Sequence, residues 1–129
     1  MGLKITILII KKPVEVIADH LFLGEIPRVN DCEAKTSSSL DAEGNEDFIL
    51  DDSAIAVSTE NGLVVITGCS HSGICNIITH AGKLTGEKKI HAVIGGFHLR
   101  HDDEVLDKTI DFLKKKKIDL LYTSHCTAL

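Results

Sequence analysis

The chain has 129 residues, 43% hydrophobic and 26% charged, which is ordinary globular composition with room for one domain and no ground for disorder or a fibrous repeat. Its net charge of -5 has the wrong sign for holding phosphate backbones, so nucleic acid is not expected as a partner. The longest apolar stretch, residues 5–10, falls far short of the roughly 20 residues that span a bilayer, so a cytoplasmic protein without membrane contact is expected.

Residues 3–10 are rich in β-branched side chains and are closed by Lys11, Lys12 and Pro13, which predicts a strand. A second short apolar run lies within residues 14–24, and Gly24-Glu25-Ile26-Pro27-Arg28 reads as a turn because Pro27 cannot continue a ladder. Residues 31–47 shift to Glu, Asp, Ser, Gly and Asn and predict an exposed loop. From Phe48 onward the pattern becomes regular. Runs at 54–58 and 63–67 flank Thr59-Glu60-Asn61-Gly62, whose Asn-Gly step predicts a hairpin turn with positive dihedrals. After the turn Gly68-Cys69-Ser70-His71-Ser72-Gly73, apolar Ile74, Ile77, Ile78 and Ala81 recur at helical spacing behind a small polar N-cap. Residues 90–94 are the next strand. A helix opened by Asp102 and Asp103 then carries Val105, Leu106, Thr109, Ile110 and Leu113, with lysines at 114–117 placed to complement its dipole. The last strand, 119–123, runs into Ser124-His125-Cys126-Thr127. The chain is thus one α/β domain, residues 1–47 being strands and loop and 48–129 a hairpin followed by βαβαβ. That second half implies parallel pairing in a mixed sheet.

There is no Trp and one Tyr, but there are seven His. His71, His98 and His125 each follow a strand's carboxyl end, and 27 residues separate each from the next. Ligands of an open parallel sheet bind outside those ends, so the three imidazoles are expected to converge on one edge. With Cys69 and Cys126 adjacent and Asp51-Asp52 available from a neighbouring strand, they make a ligand set suited to a divalent metal, zinc before iron or manganese. The bland alternative, histidines serving separately as caps and turn residues, is outweighed by the repetition. The Gly68 to Gly73 turn, with Cys69 and Ser70, could also meet an anionic group at the helix N-terminus, although it lacks the P-loop spacing and lysine. Cys69 or Cys126 could be a nucleophile, but a small buried hydrophobe is the favoured reading of each, and Cys75 reads as core. Reduced thiols are expected for all four cysteines. Arg28 and Arg100 are candidates to hold an anionic small-molecule substrate, against the usual solvated arginine. His20, His80, His91 and His101 carry no assigned role.

Five motifs in order, Gly24 to Arg28, Asp51-Asp52, Leu63 to Gly73, Gly95-Gly96-Phe97-His98-Leu99 and Ser124-His125-Cys126-Thr127, resemble the C-terminal half of a family of metal-dependent hydrolases with the metallo-β-lactamase fold. Some archaeal members of that family are pterin-coupling synthases of methanopterin biosynthesis. The resemblance spans about residues 13–127 and implies half of an αββα sandwich with a metal site at a sheet edge. It implies His71 and His125 as metal ligands, and His98 as a further ligand or the acid-base residue. The family's N-terminal His-x-His-x-Asp-His signature does not occur in this sequence. The chain is accordingly expected to be a segment of such an enzyme, completed by a complementing chain, or a piece of a longer protein. The alternative is a catalytically inactive remnant or interaction module that binds metal weakly. A half sandwich leaves an apolar sheet face open, so a homo-oligomer or a complex with a chain carrying the N-terminal half is expected.

Overall fold

A computed structural model describes residues 6–127 as a mixed six-stranded sheet with two helices. In chain order the elements are β1 (Val14–Ile17), β2 (His20–Phe22), β3 (Ala54–Thr59), β4 (Gly62–Thr67), α1 (Ile74–Thr85), β5 (Ile90–Gly95), α2 (Glu104–Lys116) and β6 (Leu120–Thr123). Spatial order follows sequence order from β1 to β6. The pairs from β1 to β4 are antiparallel, while β4, β5 and β6 are parallel, as the βαβαβ pattern requires.

Three local expectations need correction. Residues 6–10 form no strand, Ile7 and Ile9 standing 84% and 91% exposed, and residues 3–5 lie outside the described part. In the β3–β4 hairpin the positive dihedral sits on Gly62, at φ 121°, and not on Asn61, because Glu60 and Asn61 make the link and Gly62 already pairs with Thr59. The third correction concerns the start of α1. Its N-cap is Gly73, at φ 91°, which has no side chain to offer. The cap comes instead from Glu33, in the loop expected to be exposed. Glu33 is 4% exposed, and its carboxylate accepts from the amides of Cys75 at 3.0 Å and Asn76 at 3.2 Å. A carboxylate there satisfies orphan amides and complements the helix dipole. Asn76 completes the junction by accepting from the amides of Val29 and Asn30 and donating to the Ser72 carbonyl. Helix α2 has the expected local cap, Asp103, accepting from the amides of Val105 and Leu106.

The core lies between the sheet and the helices. Ala56, Val65 and Val93 are in register across β3, β4 and β5 and are buried with Leu23, Ile74, Ile77, Ile78 and Phe97. Val105, Leu106, Phe112 and Leu113 of α2 pack partly buried against this cluster. Side chains alternate across a strand, so the neighbouring register row, Phe22, Ile55, Ile66, Ile94 and Tyr122, faces the other way. Ile66, Ile94 and Tyr122 in that row are 41%, 36% and 54% exposed. A second row on the same face reads Val57, Val64, Ala92 and Leu120. The sheet thus has one covered face and one largely apolar face without a covering layer, among the described residues.

Candidate functional site

The turns leaving β4, β5 and β6 come together at the carboxyl edge of the parallel strands. Gly96 donates its amide to the Gly68 carbonyl at 2.8 Å, and Phe97 donates to Thr127 Oγ1 at 3.0 Å. A bridge between Leu99 and Thr127 extends the pairing beyond β5 and β6. Each turn holds one non-glycine residue in the left-handed region: Ser70 at φ 59°, His98 at φ 52° and Cys126 at φ 57°. Such backbone costs about 1 kcal/mol or more per residue and persists only where surrounding contacts enforce it, which is common at functional sites.

The three strand-end histidines do converge on this edge, but they divide into two groups. The rings of His71 and His98 lie 4.4 Å apart between centroids. His98 has a buried Nδ1 without a hydrogen-bond partner, and burial together with the neighbouring His71 and Arg100 lowers its pKa. A neutral imidazole with an unsatisfied ring nitrogen is the form that ligates a metal or takes up a proton. His125 belongs to a separate group. Its Nε2 is 3.0 Å from Cys69 Sγ, and the ligand atoms of Cys69, His125 and Cys126 all lie within 4.8 Å of one another. Ser124 Oγ contacts the other ring nitrogen, Nδ1, at 3.1 Å.

Cys69 and Cys126 are half-buried, Cys69 in polar contact with the His125 imidazole and Cys126 with its sulfur within 4.8 Å of both, which replaces the reading of each as a small buried hydrophobe. Burial and the adjacent Cys126 push the Cys69 thiol up, so it is a poor nucleophile unaided. Cys75 is core, as expected.

Two substrate-binding candidates are otherwise engaged. The Arg28 guanidinium donates to the backbone carbonyls of Phe48 and Ile49, tying two loops together, and it does not line the cleft described below. Ser70 is buried, and its hydroxyl donates to the Gly96 carbonyl at 2.6 Å, so it holds the β4 and β5 turns together. Asp52 stands in the loop before β3, not on a strand, where its Oδ2 accepts from the Ser72 amide at 2.9 Å and hydroxyl at 2.5 Å. It pins the β4 turn, and its charge reaches both His98 and Cys69.

His71 and His98 open into a cleft of about 730 Å³, whose walls include Lys35, Ser37, Phe97, Arg100 and His101. Imidazoles backed by Lys35 and Arg100 suit a small anionic molecule. The wall at residues 32–39 belongs to the loop held down by Glu33. Sequence reading missed both Glu33 and Asn76, since one Glu in an acidic loop and one Asn on a helix give no local signal.

No family model matches the chain. Among solved structures, a metal-dependent hydrolase of the β-lactamase superfamily aligns over 93% of this chain with a TM-score of 0.79 and 28% identity. This is the β-lactamase-superfamily fold. Two curated proteins of Methanocaldococcus jannaschii are similar in sequence. One, 7,8-dihydropterin-6-methyl-4-(beta-D-ribofuranosyl)-aminobenzene-5'-phosphate synthase, is 43% identical over 82 residues, 63% of this chain. The other, an uncharacterised protein, is 31% identical over 121 residues, 92% of this chain. The chain spans 28% and 44% of these relatives and 47% of the solved hydrolase, about half of their lengths or less.

Proposed function

We propose that the chain supplies one half of the active site of a metal-dependent enzyme of this superfamily, a hydrolase or a pterin-type transferase acting on a small anionic substrate. The observation that carries the reading is the convergence of His71, His98, His125, Cys69 and Cys126 on the carboxyl edge beside the cleft. The donor set fits a divalent metal, and zinc suits mixed imidazole and thiol donors best. His71 and His125, which stand in separate groups on this edge, each offer it a nitrogen in this reading. A bound metal supplies Lewis-acid polarisation of the electrophile and lowers the proton affinity of water. The chain's own groups do the rest. His98, kept neutral beside the cleft, is the proton acceptor, Arg100 orients the anionic group, and Asp52 fixes the turn that carries His71. A compartment that keeps thiols reduced, the cytoplasm, suits the four free cysteines.

The test is metal content of the purified chain by inductively coupled plasma mass spectrometry. Near-stoichiometric metal is expected, lost in the His71→Ala/His125→Ala variant with helical content retained. Metal content unchanged in that variant would overturn the ligand assignment. A wild type without metal would favour the inactive-module reading.

The open apolar rows also belong to this reading. Their proposed occupant is the remaining layer of the sandwich, because the solved relative carries about twice the length of this fold. Isoleucines exposed in register across β4 and β5 are the kind of patch that drives association. Light scattering of the chain alone is expected to show self-association through this face, reduced by Ile66→Lys. A monodisperse monomer at high concentration would refute it.

A further inference from the structure

We propose that Cys69 and Cys126 bind metal as thiolates together with His125, so that the centre at this edge has two sulfur ligands. The inference rests on the metal reading above and adds its ligand chemistry. Two exit turns bring the donors together: Cys69 from the turn after β4, His125 and Cys126 from the turn after β6. The mutual span of at most 4.8 Å is compatible with three donors meeting one ion at about 2.0 to 2.3 Å each.

Several observations favour a ligand role over two thiols in passing contact. Cys126 is held at φ 57°, a conformation a non-glycine residue adopts only under constraint, and it keeps the residue after His125 turned back toward Cys69. Gly96 leaves the space for this. A Cβ there would overlap the His125 carbonyl oxygen and stand 3.1 Å from His125 Nε2. Ser124 Oγ at Nδ1 orients the imidazole with Nε2 toward sulfur, the arrangement that second partners impose on metal-binding histidines. Metal binding releases the two thiol protons to solvent, and these three donors leave a position for a further ligand, His71 in the reading above. Two thiolates select zinc, or iron in a sulfur-rich site, over magnesium, calcium or manganese.

The test uses cobalt(II) as a spectroscopic stand-in, titrated into the full chain kept reduced with a phosphine. An intense near-ultraviolet sulfur-to-cobalt charge-transfer band is expected beside the visible d–d bands, and zinc should displace it. Cys69→Ser and Cys126→Ser should each weaken the band and lower cobalt affinity more than about tenfold. Cys126→Asp, which keeps a ligating side chain, should retain the visible bands and lose intensity only in the sulfur band. Circular dichroism of every variant separates misfolding from ligand loss. Visible bands without a sulfur band in the wild type would overturn this inference while leaving the metal reading standing. No cobalt bound at all would overturn both.

Discussion

Glu33→Ala should destabilise the chain by about 3 kcal/mol and lower its melting temperature by about 10 °C. The Glu33 carboxylate is the only side-chain cap of α1 among the described residues, and it also accepts from Asn30 Nδ2 at 2.7 Å. Removing it strands two amides at a buried helix start. An unsatisfied buried donor costs more than an average hydrogen bond contributes, which is why the effect is large. Glu33→Gln keeps one acceptor oxygen and should lose only about 1 kcal/mol. The loop at 32–39 forms one wall of the cleft, so Glu33→Ala should also raise its hydrogen exchange. Thermal melts of the two variants decide the matter: equal losses would show that the carboxylate does not act as the cap.

Gly95→Ala should be comparably damaging, at about 3 kcal/mol. Gly95 sits at φ 139°, where a side chain is strained. A Cβ built on it overlaps the Thr67 carbonyl oxygen and comes within 2.7 Å of Thr67 Cγ2. Relief requires β4 and β5 to part where they enter the site. Gly44→Ala is the useful comparison, because Gly44 also has positive φ but nothing within 4 Å of its added Cβ. Its cost should be about 1 kcal/mol, the backbone component alone. Chemical denaturation of both variants checks the pair, and equal losses would mean that steric overlap at Gly95 is relieved without consequence.

These two residues mark the limit of what the chain's pattern discloses. Gly95 stands in a visible motif, Gly95-Gly96-Phe97-His98, and the demand for a missing side chain at a strand exit is legible there. Glu33 stands in a run of acidic and small polar residues that looks like any solvated loop. Its role depends on α1 starting 41 residues later with Gly73 in place of a capping side chain. A cap supplied across that distance leaves no periodicity to read.

From residue 54 onward the order of strands and helices, the antiparallel hairpin, the parallel pairing and the placing of three histidines at strand ends were determined by the sequence alone. Those features depend on local spacing: apolar alternation, helical recurrence and the length of one βα unit. Tertiary structure decided how the edge is partitioned. It paired His71 with His98, set His125 against two cysteines, and engaged Arg28 and Ser70 in tying loops and turns together. The reason is geometric. Strand register and the dihedrals of three exit turns fix which side chains meet, and both are set by contacts between segments far apart in the chain.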